Sequence, residues 1–374
     1  MSVVIIDPAT GGVAGLYLDA YKEVAERHGA TLVGAYASLS EAGKRYFYPY
    51  TDLASGGRQK FGRLRLPIRY VELIAGLARS LFLIARKRPK AVFYALSSNL
   101  TPELIFILIL RAFRVRTYVI CHDVVPFVAA HENRTFKDTQ RRQFYRFASK
   151  LICHNRRSIV ELTQNYGVAA ERIEYVPFPI MDIGRLAKAG GAEPLHEAGA
   201  RFLFIGHVRA EKGINILVRA WRDAHPSMDG AQLVIAGQVP HGVEICTDAE
   251  NPGMVLMDRY IGEAEYVRLI AEADFVVFPY IAGTNSGVLS NVVSLGMPVI
   301  VSDIAMFAES GLVAADSYFP SQDGDALARK LIEYGSLSLA ERKAKSDAVL
   351  KIRDDRFADF TATLDNLLTR IEAS

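Results

Sequence analysis

The sequence predicts a two-domain α/β protein whose parallel sheets are flanked by helices. The chain has 374 residues, half of them apolar, which is enough for two ordinary hydrophobic cores. Short apolar runs alternate with amphipathic stretches, the pattern typical of parallel sheets covered by helices. The alternation breaks at Pro177–Pro179, and the residues that follow are rich in Gly, Ala and charge. We therefore expect a first domain at 1–181, a linker at 182–199 and a second domain at 200–355.

The first domain is predicted to contain six strands with helices between them. The strands are Val3–Ile6, Thr31–Ala37, Ala91–Leu96, Thr117–Cys121, Lys150–Cys153 and Ile173–Val176. The helices are Ala14–His28, Ile68–Lys87, Pro102–Phe113, Phe136–Ala148 and Arg157–Tyr166. In open sheets of this kind ligands bind beyond the carboxyl ends of the strands, so the loops after strands are the places to look for chemistry.

The second domain repeats the alternation. Its predicted strands are Phe202–Ile205, Gln232–Ala236, Val255–Met257, Phe275–Phe278 and Val299–Val301. Its predicted helices are Asn215–Arg222, Glu263–Ala273 and Gly287–Leu295, followed by a helical tail from Gly324 that ends in Arg356–Ile371.

The segment Phe202–Gly213 places two cations between a buried strand and an amphipathic helix. Gly206 ends the strand, and Arg209 and Lys212 precede the helix N-terminus. Cations beside free backbone N–H groups and the positive end of a helix dipole form a good diphosphate site. The alternative is an ordinary polar turn with solvated charges.

A second loop, within Tyr280–Ile300, also joins a buried strand to a helix. It contains Gly283, Thr284, Asn285, Ser286 and Gly287, with Ser286 at the N-cap position of the helix. The loop offers hydroxyl and amide donors but no nucleophile paired with a base. It is therefore interpreted as a binder of anions and sugars.

Two further loops occur in the first domain. Gly11 and Gly12 would let the backbone approach a ligand, but the fingerprint G-x-G-x-x-G of NAD-binding proteins is absent. His122 follows a strand, where it could position a substrate or accept a proton, the alternative being a histidine satisfied by nearby backbone. His154 stands at another strand end, each histidine following a cysteine. We expect no metal site, because the clustered spacing of zinc ligands is missing.

In combination, these residues resemble the family 4 glycosyltransferases of the GT-B fold. The resemblance rests on ordered motifs over roughly residues 200–310, namely Gly206-x-x-Arg209-x-x-Lys212-Gly213, Ala273-Asp274-x-x-x-x-Pro279, Ser286-Gly287-Val288-Leu289 and Gly296-x-Pro298-Val299-Ile300. The first domain matches more loosely, through Gly11-Gly12, His122-Asp123 and Val176-Pro177.

The resemblance implies two Rossmann-like α/β/α domains that face a central cleft, with a C-terminal helix (356–374) crossing back to the first domain. It implies a hexosyltransferase that retains anomeric configuration, needs no metal or cofactor and uses a UDP- or GDP-linked sugar as donor. Arg209 and Lys212 would stabilise the leaving diphosphate, and His122 would face the donor sugar and the acceptor. The donor would also meet Gly11, Gly12, Gly206, Arg259, Tyr260, Ile261, Thr284, Asn285, Ser286, Gly287, Val288, Leu289 and Asn291.

Three positions depart from the family pattern. Many members carry two glutamates eight residues apart, where this chain has Gly283 and Asn291. Asn291 retains hydrogen-bonding capacity for ribose hydroxyls, whereas Gly283 has no side chain to contact the donor sugar. Many members also have an arginine where this chain has His207, and Arg209 fits a different branch of the family.

The charge of the two halves differs in sign. Residues 1–180 carry 26 Lys/Arg and 14 Asp/Glu, a net charge of +12, and the remainder carries −9. The basic residues of the 44–90 region are interleaved with aromatic and aliphatic ones, a composition that lies well on anionic lipid. The alternatives are a solvated surface or nucleic acid, but no nucleic-acid recognition motif accompanies the patch. The twelve cations are Lys44, Arg45, Arg58, Lys60, Arg63, Arg65, Arg69, Arg79, Arg86, Lys87, Arg88 and Lys90.

The sequence therefore favours transfer of a sugar to a glycan or lipid-linked oligosaccharide acceptor, in cell-surface polysaccharide (exopolysaccharide) biosynthesis. The three cysteines lack paired spacing and the N-terminus lacks a signal-peptide pattern, so we expect a cytoplasmic protein, peripheral on the inner face of the cytoplasmic membrane. A sugar-nucleotide epimerase of the same architecture would need carboxylates at the sugar, which the donor loop lacks. A non-catalytic nucleotide- or glycan-binding relative is the other alternative, because of the missing glutamates.

Overall fold

The computed structural model describes residues 3–8, 15–34, 43–47, 61–95, 100–122, 124, 134–184, 199–240, 245, 252–283 and 285–374. Several sequence-predicted features lie outside these ranges, among them Gly11, Gly12, Thr284, most of the predicted linker and residues 48–60 of the basic region. The chain forms two compact units, one of residues 1–179 with 358–374 and the other of residues 180–357.

The first unit contains a seven-stranded sheet in which every strand pair is parallel, in the order β3-β2-β1-β4-β5-β6-β7. The strands are β1 (Val4–Asp7), β2 (Thr31–Gly34), β3 (Gly43–Arg45), β4 (Ala91–Ala95), β5 (Arg116–Cys121), β6 (Lys150–Cys153) and β7 (Ile173–Tyr175). The helices are α1 (Gly15–Asp19), α2 (Lys22–Arg27), α3 (Arg65–Lys87), α4 (Leu100–Ala112), α5 (Arg134–Phe147) and α6 (Arg156–Tyr166).

One large core lies between this sheet and helices α3 to α6. Alternate strand residues such as Val92, Tyr94 and Val119 pack against Leu77 of α3 and Phe106 of α4. Side chains two residues apart on a strand point to the same face of the sheet. A parallel sheet is normally covered by helices on both of its faces. The side chains that α3 and α4 bury in this core therefore determine which side of each helix faces the sheet.

The second unit contains a six-stranded parallel sheet in the order β10-β9-β8-β11-β12-β13. The strands are β8 (Arg201–Ile205), β9 (Gln232–Ala236), β10 (Met254–Met257), β11 (Phe275–Phe278), β12 (Val299–Ser302) and β13 (Tyr318–Phe319). The helices are α7 (Ile214–Ala224), α8 (Glu263–Ala271), α9 (Gly287–Ser294), α10 (Ala305–Ala308), α11 (Gly324–Gly335) and α12 (Leu339–Ala373). Strand order reverses between β8 and β11, which makes the carboxyl ends of these two strands the switch point of the sheet.

The final helix α12 is longer than the sequence predicted, since it begins at Leu339 and runs unbroken for 35 residues. Its first part belongs to the second unit and its last part, from Ala358, to the first. In the first unit Phe360 packs edge-on against Tyr21, with ring centroids 5.2 Å apart. Asp365 accepts from Arg27 at 3.0 Å and lies 3.2 Å from His28. The end of the chain thus completes the core on the α1–α2 side of the first sheet.

Across the described ranges, no helix has both the length and the apolar character needed to cross a membrane.

Candidate active site

The loop after β8, Gly206–Gly213, is here named the basic loop. Gly206 leaves the strand with a φ of +132°, a value that L side chains rarely adopt. Its N–H donates to the Ala236 oxygen at 3.0 Å, and the Val208 N–H donates to the Gln238 oxygen at 3.1 Å. Arg209 then opens a single 3-10 turn, Ala210–Lys212, that leads into α7. The strand, turn and helix fix where both cations of the loop lie.

Gly213 brings the basic loop against the end of β11. Its φ is +65°, and a Cβ atom at this position would lie 1.8 Å from the Pro279 oxygen. The Ile281 N–H donates to the Glu211 oxygen at 2.8 Å. The basic loop is therefore hydrogen-bonded to the segment that follows β11. A side chain at position 213 would prevent this close approach.

Lys212 is held above an aromatic ring. Its Nζ lies 3.6 Å from the centroid of Tyr280, a side chain only 1% exposed. A cation over a buried ring is attracted by the ring quadrupole, so the ammonium group is positioned before any ligand arrives. Tyr280 has no counterpart among the sequence-predicted site residues, although it directly follows Pro279 of a quoted motif.

Arg209 is less constrained than Lys212. Its guanidinium is 44% exposed and lies 3.8 Å from the Glu211 carboxylate, a distance at which a surface ion pair contributes little. Partial burial, together with the nearby Arg209 and Lys212, lowers the pKa of His207 below its ordinary value. His207 is therefore neutral at pH 7, and the positive charge of the loop comes from Arg209 and Lys212.

The N-terminus of α9 lies beside the basic loop. Ser286 is its N-cap, and the Ser286 Oγ accepts from the Leu289 N–H at 3.2 Å. A Cβ atom on Gly206 would lie 3.8 Å from Cγ2 of Val288, so the two loops are in van der Waals reach. The first N–H groups of a helix have no intrahelical acceptor and attract anions. The structure thus places the basic loop, which carries Arg209 and Lys212, next to the N-terminus of α9 at the switch point of the second sheet.

The two positions that depart from the family pattern have different surroundings. A Cβ atom on Gly283 would lie 2.7 Å from Sδ of Met306, so this methionine occupies the space where a side chain would begin. Asn291 is fully buried, and its Nδ2 donates to the Tyr266 hydroxyl at 3.1 Å. Within the described residues its Oδ1 has no hydrogen-bond partner. Burial raises the pKa of Tyr266 to about 12, which keeps its hydroxyl protonated.

Arg259, Tyr260 and Ile261 follow β10, which lies two strands away from β8. Arg259 forms a two-pronged ion pair with Glu265, at 2.6 Å for each N–O contact. The pair is exposed on the arginine side, and Tyr260 is 39% exposed. These residues share the carboxyl edge of the sheet with the basic loop but lie further along it.

His122 lies in the first unit, at the carboxyl end of β5. Its ring meets that of Tyr17 edge-on, with centroids 4.6 Å apart, and burial lowers the pKa of His122 to about 4. The sequence reasoning missed Tyr17, since it lies on α1 and only the fold brings it to the end of β5.

Tyr17 belongs to a chain of buried hydrogen bonds. The Nδ1 of His154 lies 2.9 Å from the Val176 carbonyl, which can only accept, so Nδ1 carries the proton. The Nε2 of His154 therefore accepts from the Tyr17 hydroxyl at 3.0 Å, and Tyr17 in turn accepts from Tyr21 at 2.6 Å. These hydrogen bonds hold the ring of Tyr17 against His122.

Cys121 and Cys153 are opposite one another on β5 and β6. A hydrogen bond between the two thiols, together with burial, raises the pKa of the Cys153 thiol far above its ordinary value. A thiol in this state is a poor metal ligand, because metals bind the thiolate. No group of three His, Cys, Asp or Glu side chains suited to a metal ion occurs among the residues that the structure describes.

Comparison with known proteins gives one family and a set of structural relatives. Residues 199–335 match the family model of glycosyl transferases, group 1. A search of curated protein sequences found no match.

Three solved structures similar to this chain illustrate the likeness. HepE of Anabaena in complex with UDP and glucose has a TM-score of 0.65 and 16% identity, covering 100% of both chains. The UDP-forming α,α-trehalose-phosphate synthase of Burkholderia xenovorans, in complex with glucose-6-phosphate, has a TM-score of 0.62 and 14% identity over 100% of both chains. The sucrose-phosphate synthase of Thermosynechococcus elongatus has a TM-score of 0.60 and 13% identity, covering 99% of both. The chain therefore has the two-domain GT-B fold, and its residues 199–335 match the group 1 glycosyl transferases.

Proposed function

We propose that this chain is a glycosyltransferase that moves a sugar from a nucleotide-diphosphate donor to a glycan or lipid-linked oligosaccharide. The observation that carries the proposal is that the basic loop, with Arg209 and Lys212, packs against the segment after β11 and comes within reach of Val288 at the N-terminus of α9, at the switch point of the second sheet. Two cations and a helix N-terminus at one place suit a diphosphate better than a neutral ligand.

Catalysis in this proposal is mainly electrostatic. As the bond between sugar and phosphate breaks, negative charge grows on the departing nucleoside diphosphate. Lys212 is already fixed over Tyr280 and requires little rearrangement, whereas the more exposed Arg209 closes on the phosphates. Donors that are in place before charge develops give the largest stabilisation. The family resemblance supports retention of configuration and a mechanism that needs no metal.

The donor is a UDP- or GDP-linked hexose. The relatives favour testing UDP-sugars first, since HepE was solved with UDP, with UDP and glucose, and with UDP-glucose. Arg259–Ile261, further along the same edge of the sheet, would meet the base. Asn291 stands where many family members hold the ribose with a glutamate, and its Oδ1 is an acceptor still without a described partner.

His122 would contact the donor sugar and the acceptor as a neutral imidazole. Its lowered pKa keeps it uncharged at pH 7, so it would act by hydrogen bonding and would not add positive charge. Tyr17, held by the hydrogen bonds to Tyr21 and His154, fixes one side of the His122 ring. We further propose an acceptor at the inner face of the cytoplasmic membrane, in the synthesis of a cell-surface polysaccharide, because the 44–90 region is strongly basic.

A two-step experiment tests the proposal. Thermal-shift measurements with UDP- and GDP-sugars should identify a donor that raises the melting temperature, because a ligand of the native state stabilises it. Release of the nucleoside diphosphate should then be slow with the donor alone and faster with a glycan-lipid extract.

Three other outcomes of these measurements would contradict the proposed sugar transfer. A lack of stabilisation by any nucleotide sugar would overturn the proposal. Saturable binding of a nucleotide sugar without release of the nucleoside diphosphate would favour a non-catalytic nucleotide-binding relative. This candidate is suggested by Gly283 and Asn291, which stand where many family members carry glutamates. Conversion of the donor to another sugar nucleotide without an acceptor would indicate an epimerase.

A further inference from the structure

The outward side of α3 is apolar over most of its length. Exposed side chains recur at every fourth residue, at Leu66, Tyr70, Ile74 and Phe82, with Ala78 completing the series. Val71 lies beside them, and Phe82 and Val71 are 71% and 66% exposed. Residues four apart are neighbours on a helix surface, so these side chains form a continuous stripe about 24 Å long, which winds partly round the helix because each step of four residues exceeds one full turn.

The side of α3 that faces the core is apolar as well. Leu73, Leu77, Leu83 and Ile84 are buried in the core against the sheet. A surface helix of a globular protein normally buries its apolar stripe and presents polar residues outward, whereas the apolar residues of α3 extend from the core onto the exposed surface. The outward stripe therefore needs a partner, because contiguous exposed apolar surface marks interaction sites.

The neighbouring helix α4 extends the surface. It packs against the same core and contacts α3, so the outward sides of the two helices belong to one layer. Its exposed apolar residues are Ile105 and Leu108, and Phe113 just beyond its end is 78% exposed. The α3–α4 face is defined here as Leu66, Tyr70, Val71, Ile74, Phe82, Ile105, Leu108 and Phe113.

Cations accompany this face almost without acids. Residues 61–90 contain eight Lys/Arg and a single acidic residue, Glu72. Arg63 and Arg86 are exposed near the two ends of α3, and Arg111 and Arg114 are exposed beside Phe113. The apolar stripe is therefore bordered by positive charge at both ends.

We propose that the α3–α4 face lies within the interfacial layer of a bilayer that contains anionic lipids. The apolar side chains enter the acyl boundary and the cations meet lipid phosphates, which is the arrangement of a helix parallel to the membrane surface. The face is accompanied by cations, so a second copy of this chain that used the same face would meet it with like charge. The inference deepens the membrane partner proposed above, but it concerns the first unit and does not depend on sugar transfer.

Insertion is tested with a reporter on the face. The chain has one tryptophan, Trp221, which is fully buried in the second unit and provides a constant background. The fluorescence of a Phe82→Trp variant should shift to the blue and be quenched by bromine-labelled acyl chains in vesicles of phosphatidylglycerol mixed with phosphatidylcholine. A Val255→Trp variant, at a 48% exposed position on β10, is the matched control and should not be quenched. Absence of quenching at position 82 would overturn the proposal.

The apolar and electrostatic parts are then separated by two double variants. Ile74→Ser with Phe82→Ser should weaken binding to the same vesicles at least ten-fold while preserving its salt dependence. Arg63→Gln with Arg86→Gln should weaken binding about five-fold per cation and reduce the salt dependence. Both variants should keep the donor-induced thermal shift of the wild type, which separates failure here from failure of the proposed function. Unchanged vesicle binding of the serine pair, or a dimer that this pair dissociates, would contradict the bilayer assignment.

Discussion

At the scale of single residues, Lys212 is held more closely than Arg209, the other cation of the basic loop. Replacing it by Gln removes the charge but keeps most of the stem that crosses Tyr280. We expect Lys212→Gln to lower the turnover of the donor about 10²–10³-fold, with a smaller loss of ground-state binding, because the charge acts mainly on the leaving group. Turnover of the identified donor by steady-state kinetics measures the effect.

Arg219→Gln is the control for Lys212. Arg219 is an exposed cation on α7, a short distance along the chain from the basic loop. It should leave kcat and KM unchanged. Equal effects of the two substitutions would mean that the general charge of the unit matters and that the place of Lys212 does not.

His122 provides a prediction on pH. Its pKa is about 4 in the folded chain, below the ordinary value of 6.5, because burial disfavours the imidazolium. In the unfolded chain it takes up a proton already near pH 6.5, so this residue lowers the stability as the pH falls from about 6.5 towards 4. His122→Gln should flatten that part of the curve of melting temperature against pH. Parallel curves for variant and wild type would show that His122 is not shielded in this way.

The two cations of the basic loop could be predicted from the sequence, but their contacts with distant residues could not. Arg209 and Lys212 could be found because they stand between an apolar strand and a helix in a spaced motif. The ring contact of Lys212 with Tyr280 joins residues far apart in the chain and depends on β8 and β11 being neighbours. The Met306 side chain beside Gly283 is likewise a product of packing that has no local pattern.

At the scale of elements, Gly213 joins the basic loop to α7. An alanine at this position would meet the Pro279 oxygen and would hold a φ of +65°. We expect Gly213→Ala to destabilise the second unit by more than about 3 kcal/mol, since backbone strain and a clash with a carbonyl add. Loss of the buried environment of Trp221 on denaturation is the measurement.

Gly311→Ala separates strain from clash. Gly311 has nearly the same φ, +66°, but a Cβ there meets only Arg356 at ordinary contact distance, 3.7 Å. It should cost about 1–2 kcal/mol, the usual penalty for an L residue in this conformation. Similar losses at both glycines would argue against a close approach of the basic loop to β11.

The N-cap of α9 gives a second element-scale prediction. Ser286→Ala should destabilise the unit by about 1 kcal/mol, because the Leu289 N–H loses its acceptor. Asp323→Ala removes the equivalent cap from α11, where Asp323 accepts from the Ala326 N–H at 2.8 Å. Stability should fall similarly in both variants, whereas donor affinity, measured by titration, should fall several-fold only for Ser286→Ala. A matching loss of affinity in Asp323→Ala would remove α9 from the donor site.

Most elements could be predicted from apolar periodicity, and the exceptions have physical causes. The predicted helix at Ala14–His28 is interrupted, since α1 and α2 are separated by a turn at Ala20 and Tyr21. Strand β13 was missed because it has only two residues, and β3 was missed because its three residues, Gly-Lys-Arg, include no apolar side chain. The parallel sheets were predicted correctly because they depend on the repeated alternation and not on the exact ends of the elements, and the GT-B architecture was predicted correctly from the family resemblance.

At the scale of the whole molecule, α12 is fixed to the second unit through a buried ion pair. Asp274 of the quoted motif accepts from the Arg201 N–H at 2.8 Å and lies 3.3 Å from Nη1 of Arg342. The two side chains are 1% and 8% exposed. Arg342→Ala should therefore cost about 3–5 kcal/mol, because it leaves a buried carboxylate without its cation.

A surface pair provides the comparison for Arg342. Arg268 lies 2.9 Å from Glu272, but the arginine side chain is 53% exposed. Arg268→Ala should cost less than about 1 kcal/mol, since water replaces the lost partner. Denaturant unfolding of the two variants, followed through Trp221, measures the difference. A small effect at Arg342 would mean that the buried pair is not required to hold the start of α12.

The shared helix α12 has a consequence for how the protein is made. Its last turns, which supply Phe360 to Tyr21 and Asp365 to Arg27 and His28, leave the ribosome only after the whole of the second unit. The first unit consequently cannot finish its core until residues 180–357 have been synthesised, although its strands emerge first. Domains usually fold as units in the order in which they are synthesised. Here the first unit needs a segment that is synthesised after the second unit. A polypeptide that stops early would leave the Tyr21 side of the first sheet uncovered, which exposes incomplete products to chaperones and proteases.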